Sequence, residues 1–296
     1  MNYYKEIKEK LINNEITKRV KDYSKNRSDL NTYYNVGKLL SEAGKHYGEG
    51  IIKEYSKKLT IELGKKFNYT LLKNIRSFYC MVQKGPTLSD NLVWSHYIEL
   101  LPVNNVNEIN YYIKITEQQN LSVRQLREKI KNKEYERLDE KAKEKLINNE
   151  EPKVNDLIKN PILIKNSYDY KEISEKVLQK LIFEDLDNFL NELGEGFTYI
   201  KSEYKIKIGN NYNYIDLLLF NIEYNCYVVV ELKITKLKKE HIGQIETYMN
   251  YIDKNIKKIN QDKTIGIIIT KEEDKYIMSY CSDERIFNTT YELHEV

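Results

Sequence analysis

The sequence is poor in the residues that would place it in several large classes of protein. Its three cysteines, Cys80, Cys226 and Cys281, are odd in number, far apart and in no CxxC pair. Neither a zinc-ligand set nor a disulfide framework is expected from them, and a reducing, cytoplasmic setting fits best. No apolar run approaches the roughly 18–20 residues that would span a bilayer, so no membrane partner is expected. The first ten residues read MNYYKEIKEK, without the apolar segment of a secretory signal. Arginine is scarce too, at seven of the 48 basic residues. Heavy use of Lys, Asn, Ile and Tyr, whose codons are AT-rich, accompanies it. The 26 tyrosines are therefore not read as stacking platforms on number alone.

What is present divides into two halves. Net charge is +3, but residues 1–150 hold 28 Lys/Arg against 20 Asp/Glu, and residues 151–296 hold 20 against 25. A basic first half attracts phosphate backbones. An acidic second half is what a cation-binding site leaves when its metal is not counted, although Lys-rich helices scatter this widely on their own.

The first half has helical periodicity. Helices are expected over Lys5–Asp22, Leu30–His46, Ile51–Phe67, Leu71–Val82, Val93–Leu101 and Val106–Gln118. A last one starts at Val123, where Ser122 and Gln125 have capping-box spacing. Basic clusters decorate these helices: Lys18-Arg19 with Lys21, Lys73 with Arg76, and Arg124 with Arg127. Lys73 and Arg76 sit three apart on a helix that follows a helix and a turn, the arrangement of a recognition element; solvated helix faces are the plain alternative. The pattern weakens between about Tyr135 and Lys165, which reads as a charged helix followed by a linker. The expected division is 1–138 helical, 139–165 charged helix and linker, and 166–296 a second domain.

That second domain changes period. An amphipathic helix over Lys171–Leu193 precedes strands at Thr198–Ile208, Tyr214–Phe220 and Cys226–Ile234. A helix over Leu237–Asn255 and a buried strand over Thr264–Thr270 follow, then a weaker helix and strand. The order specifies an α/β layer architecture.

Two apolar strands, YIDLLLF and CYVVVELKI, flank the polar turn Ile222-Glu223-Tyr224-Asn225. A hairpin centred on Glu223 and Tyr224 places Asp216 directly opposite Glu231, on one face and within reach of one ion. Lys233, two residues on, emerges on that face, and Leu232 points to the core. Burying unpaired carboxylates costs several kcal/mol, roughly. A divalent cation relieves both that cost and their mutual repulsion, and oxygen ligands suit Mg²⁺. A structural Lys233–carboxylate pair at a sheet edge is the simpler alternative.

This arrangement resembles the PD-(D/E)XK nuclease superfamily, and within it the YhcG family. The matching residues are Phe189-Leu190-Asn191-Glu192-Leu193-Gly194-Glu195-Gly196-Phe197, Tyr214-Ile215-Asp216-Leu217-Leu218, Val230-Glu231-Leu232-Lys233, and Gly243-Gln244 with Tyr248. Trp94-Ser95-His96-Tyr97 and Ser122-Val123-Arg124-Gln125-Leu126 resemble marks of the family's helical N-terminal domain. The resemblance implies a restriction-endonuclease-like mixed sheet flanked by helices, behind an α-helical domain that docks DNA or a partner. It implies that Asp216 and Glu231 bind Mg²⁺ or Mn²⁺ and that Lys233 is the catalytic lysine. It also implies that Gln244 and Tyr248, the QxxxY pair of RecB-like nucleases, line the site. The implied activity is phosphodiester hydrolysis, in DNA, in a setting of restriction, defence or repair. Lys73, Arg76, Arg124 and Arg127 are the nucleic-acid-binding candidates.

The sequence departs from the pattern at two places, the first of little consequence. Ile215 replaces the proline that often precedes the first Asp. Gln179 stands near the place where RecB-like members carry an acid on the first helix, with Glu175 and Glu184 about a turn away on either side. The rival readings are a non-catalytic nucleic-acid-binding or assembly protein on a degenerate nuclease fold, and a dimeric DNA-structure resolvase.

Overall fold

The computed structural model describes residues 2–20, 25–148, 150, 156, 158–168, 170 and 173–294; for 16–20 and 25–28 it describes the backbone alone. The chain divides into two compact units, Met1–Tyr135 and Glu136–Val296.

The first unit is helical: α1 (Tyr3–Val20), α2 (Lys25–Tyr47), α3 (Gly50–Leu63), α4 (Tyr69–Val82), α5 (Trp94–Leu100), α6 (Val106–Gln118) and α7 (Val123–Lys131). The expected helix over Ile51–Phe67 ends earlier, at Leu63. Gly64 takes φ 106° there, and a single 3-10 turn over Lys65–Phe67 follows. Asn68 then starts α4, its side chain accepting from the Leu71 amide at 2.9 Å. Ser122 and Gln125 form the expected capping box. The Leu72, Ile75 and Phe78 side chains of α4 are buried, as their spacing requires.

In the second unit, α8 (Glu140–Asn148) is the charged helix expected before the linker. The stretch 139–165 is not linker to its end, because Ile162–Lys165 is a strand, β1. Its Ile162 and Ile164 are buried. Glu192 secures its start, accepting from the Leu163 amide at 2.9 Å while also bonded to Arg137. Asn149, Pro152 and most of their neighbours lie outside the described residues.

The expected helix over Lys171–Leu193 is two helices, α9 (Glu175–Glu184) and α10 (Leu186–Leu193). Ser174 caps the first through the Val177 amide, and Asp185, at φ −138° and ψ 60°, breaks the run and caps the second through Asn188. Lys171 lies outside the described residues. Strands β2 (Phe197–Ile208), β3 (Asn211–Asn221) and β4 (Cys226–Lys236) follow. Then come α11 (Lys239–Asn255), β5 (Asp262–Glu272), α12 (Lys275–Ser279) and β6 (Ile286–His294).

The six strands make one mixed sheet in the order β1-β6-β5-β4-β3-β2. β2, β3 and β4 are antiparallel; β4, β5, β6 and β1 run parallel. Helices α9 and α10 cover Leu217, Leu219, Val228, Val230 and Leu232 on one face. Helix α11 covers Leu218, Val229 and Ile268 on the other. Covering on both sides explains why Thr264–Thr270 is almost wholly apolar. Gly266 allows close packing under α11, since a Cβ there would lie 2.6 Å from Met249 Sδ.

The β3–β4 register is the expected one, running from Leu217↔Val230 to Asn221↔Cys226. A buried asparagine pins it. Asn221 Oδ1 accepts from the amides of Glu223 and Tyr224, each at 3.1 Å, and its Nδ2 donates to the Glu195 carbonyl at 2.9 Å. Gly196, at φ 77°, lets the chain pass beside this turn, where a Cβ would lie 2.9 Å from Glu223 Cγ. Asn221→Ala removes all three of these part-buried bonds. It is expected to lower unfolding free energy by about 2–4 kcal/mol, measured by urea denaturation; a loss under about 0.5 kcal/mol would show that the turn does not depend on this side chain.

Candidate active site

At the end of the β3–β4 ladder the pairing stops just before the two carboxylates. In place of a further strand pair, Asp216 Oδ2 accepts from the Leu232 amide at 2.8 Å. Lys233 Nζ lies 3.2 Å from Glu231 Oε2. Glu231 is 1% exposed, and its other oxygen, Oε1, is buried with no hydrogen-bond partner among the described residues. The strand is interior to the sheet, so this is not an ion pair at a sheet edge.

The electrostatics follow from this placement. Burial and then the Asp216 charge push the Glu231 carboxyl up to about 8, against the opposing pull of Lys233. Asp216 is also raised, by burial first; the Leu232 amide and Lys233 oppose, and Glu175 and Glu203 add to the rise. Burial works against the Lys233 charge, yet Glu231, Asp216 and Glu175 together hold its pKa above the usual lysine value.

Elements on both sides of the sheet complete the cluster. From α9, Gln179 Nε2 donates to the Asp216 backbone carbonyl at 3.3 Å, and Glu175 Oε1 stands 3.9 Å from Lys233 Nζ. Glu184 instead pairs with Lys180. From α11, Gln244 Nε2 donates to Tyr248 Oη at 3.1 Å, so the expected pair shares a helix face. Tyr248 is raised by burial and feels the charges of Glu231, Lys233 and Asp216. His241 is spent on capping, its Nδ1 accepting from the Lys238 amide.

Two acids near the centre were not among the expected site residues. Glu175 occupies the first turn of α9, one turn ahead of Gln179, because Ser174 starts the helix there. Glu203 lies across β2 from Asp216, between the pairs Ser202↔Leu217 and Tyr204↔Ile215. It has φ +45°, a left-handed conformation worth roughly 1–3 kcal/mol of strain in a non-glycine residue. Nothing in the alternation of Lys and Glu along β2 distinguishes it from a surface position.

The donor set fits a small hard cation. Among the described residues no three His, Cys, Asp or Glu side chains converge on one point. A pair of carboxylates is what Mg²⁺ uses when water and a phosphate fill its remaining positions. The orphaned Glu231 Oε1 is an oxygen left without the partner that a buried carboxylate needs.

The four basic candidates of the helical unit fare differently. The Arg76 guanidinium is held by both oxygens of Glu49, and Arg127 by both oxygens of Glu99. Arg124 is exposed beside Glu128, at 3.3 Å. Lys73 is exposed and makes no ion pair among the described residues. The side chains of Lys18, Arg19 and Lys21 lie outside the described residues. No helix among the described residues is long and apolar enough to cross a membrane.

Comparison with known proteins gives the chain its relatives. Residues 155–295 match the family model described as the YhcG PDDEXK nuclease domain, and residues 7–137 match the DUF1016 N-terminal domain. A protein of Escherichia coli (strain K12), "Putative nuclease YhcG", is 26% identical over 286 residues, covering 82% of this chain and 76% of that one. A repair endonuclease from Pyrococcus abyssi, known from its crystal structure, is 23% identical, with a TM-score of 0.30 over 42% of this chain and 49% of that one. The EndoMS–dsDNA complex is 20% identical, with a TM-score of 0.31 over 42% and 48%. The chain thus spans about half the length of these two solved structures.

The carboxylate cluster predicts a stability effect. A carboxyl raised in the fold contributes stability that is fully present below its unfolded pKa and is lost as pH rises from there through about 8. In EDTA at pH 8, Glu231→Gln is therefore expected to melt several degrees above the unaltered protein, at about 2–4 °C per kcal/mol. The advantage should vanish near pH 4.5. Equal or lower melting of the variant at pH 8 would refute the buried, unsatisfied carboxylate.

Proposed function

Given a chain that belongs to the YhcG family of PDDEXK nucleases, we propose that it is a divalent-metal-dependent nuclease that hydrolyses phosphodiester bonds in DNA. The observation that carries this reading is the buried Glu231 carboxylate, one oxygen unpartnered, with Asp216 beside it and Lys233 on its other oxygen. An apolar sheet has no structural use for two such acids. Replacing a buried ion pair by hydrophobic residues is often neutral or stabilising, so stability gives no reason for these charges and a chemical role does.

Each residue has an assignable task. Asp216 and Glu231 would hold Mg²⁺ or Mn²⁺, which when bound supplies positive charge to the phosphate oxygens and lowers the pKa of water. The Leu232 amide holds Asp216 in place by its bond to Oδ2. Lys233 orients the attacking water or steadies charge building on the phosphate, and the three acids around it keep it protonated. Glu175 takes the first-helix acidic role that Gln179 lacks, and Gln179 fixes the β3 backbone at Asp216. Gln244 and Tyr248 line the α11 side. The helical unit positions DNA or a partner protein, with Lys73 the candidate least committed to other contacts. A setting in restriction, defence or repair rests on kinship alone.

The test is twofold. Calorimetric titration with Mn²⁺ is expected to give binding that Asp216→Ala loses; no difference between the two proteins sinks the metal assignment. Cleavage of plasmid and branched DNA in Mg²⁺ is expected to fall at least 100-fold in Lys233→Ala. Equal cleavage by both proteins would place the chemistry elsewhere.

A further inference from the structure

The β2–β3 ladder outlasts its neighbour. β3 pairs with β4 only between Leu217 and Asn221, whereas its pairing with β2 continues to Ile208↔Asn211. Residues 204–215 thus form a two-stranded arm that begins next to Asp216 and leads away from it. The arm is anchored on one side. Ile206 and Ile215 are buried with Ile245, Tyr248 and Met249 of α11, and Tyr204 and Ile208 pack against the same cluster.

Its exposed residues include two lysines and two tyrosines. Lys205 pairs with Tyr214 across the arm, and Lys207 with Tyr212. Both lysines are exposed, and Tyr212 and Tyr214 are 56% and 52% exposed. Lys205 Nζ sits 3.8 Å from the centre of the Tyr212 ring, which holds the cation in place without neutralising it. Neither lysine enters an ion pair among the described residues, although Lys165, Lys180 and Lys236 of the same unit each do. Segment 200–214 carries three lysines and one acid, Glu203, inside a half of the chain that is net acidic. Tyrosine abundance gives no reason to single these rings out; exposure beside unpaired lysines does.

We propose that this arm binds single-stranded nucleic acid and leads it to the Asp216–Glu231 centre; the leading, though not the binding, rests on the nuclease reading above. Lysines two residues apart, about 6.6 Å along a strand, meet successive backbone phosphates. Exposed tyrosine rings beside them offer stacking surfaces to bases of any sequence. In a duplex those base faces are already stacked on one another, so the rings have a use only where the strand is single.

The test uses the full chain in EDTA, with binding of fluorescein-labelled dT20 followed by anisotropy. Lys205→Ala/Lys207→Ala is expected to weaken binding at least tenfold at 0.1 M salt and to flatten the log–log salt slope by about 1.4, for two phosphate contacts. Tyr212→Ala/Tyr214→Ala should weaken it at least fivefold with the slope unchanged, and Tyr212→Phe/Tyr214→Phe should restore it. Absence of dT20 binding by the unaltered chain, or affinities within twofold of it for both alanine variants, overturns the proposal. So does a 20-base-pair duplex that binds more tightly than dT20 and ignores the tyrosine changes. A shift in sedimentation velocity in the arm variants with DNA affinity unchanged makes the arm a contact between copies, and likewise overturns it. EDTA removes the chemistry from the measurement. If the arm variants lose binding while the unaltered chain leaves DNA intact in Mg²⁺, the nuclease reading fails and the arm proposal stands. If the unaltered chain cuts DNA and the variants bind as well as it does, the reverse holds.

Discussion

The register between β3 and β4 is the constraint on which the centre of the second unit depends. Side chains alternate along a strand, so a slip of one residue would carry every carboxylate and every core residue to the wrong face. The Asn221 side chain prevents this by closing the turn on the Glu223 and Tyr224 amides and tying it to the Glu195 carbonyl. With that register fixed, Leu217, Leu219, Val228, Val230 and Leu232 face α9 and α10. Asp216 and Glu231 then meet at the ladder's end, where the strands part and the Leu232 amide is free to bond a side chain instead of a backbone.

Around that point the fold works against its own stability. Two acids and a lysine occupy positions where the surrounding sheet would accommodate valine or leucine. Burial raises both carboxyl pKa values, the Asp216 charge adds to the rise at Glu231, and one carboxylate oxygen has no partner among the described residues. The cluster survives because an extensive apolar sheet, covered by helices on both faces, supplies stability around it. Left-handed Glu203 on β2 adds a second local cost beside the first.

The helical unit is organised differently. Among the described residues, two of its arginines are committed in bidentate pairs, Arg76 to Glu49 and Arg127 to Glu99. Cation content along the sequence is thus a poor guide to surface available for phosphate. The two lysines of the β2–β3 arm, without an ion pair among the described residues, lie in the half whose summed charge is negative. A local pattern of pairing, rather than the sum, decides which cations remain available.

Sequence alone determined most of the elements, the turn and the β3–β4 register that leads up to Asp216 and Glu231, because these follow from short-range periodicity and from one hairpin count. It likewise marked Gln244 and Tyr248 as sharing a face, since a four-residue spacing on a helix requires it. It missed the break at Asp185, because both halves of the helix keep the same apolar stripe and only the backbone reveals a second cap. It missed β1, since four residues carry too little pattern and their partner, β6, lies more than a hundred positions away. The nearness of Glu175 and Glu203 to Asp216 was decided only in three dimensions. Helix packing places one and a strained edge-strand residue the other, and neither relation leaves a spacing in the chain. The three residues of the motif were legible because they are neighbours across one hairpin; the rest of the site was not, because distant elements bring it together.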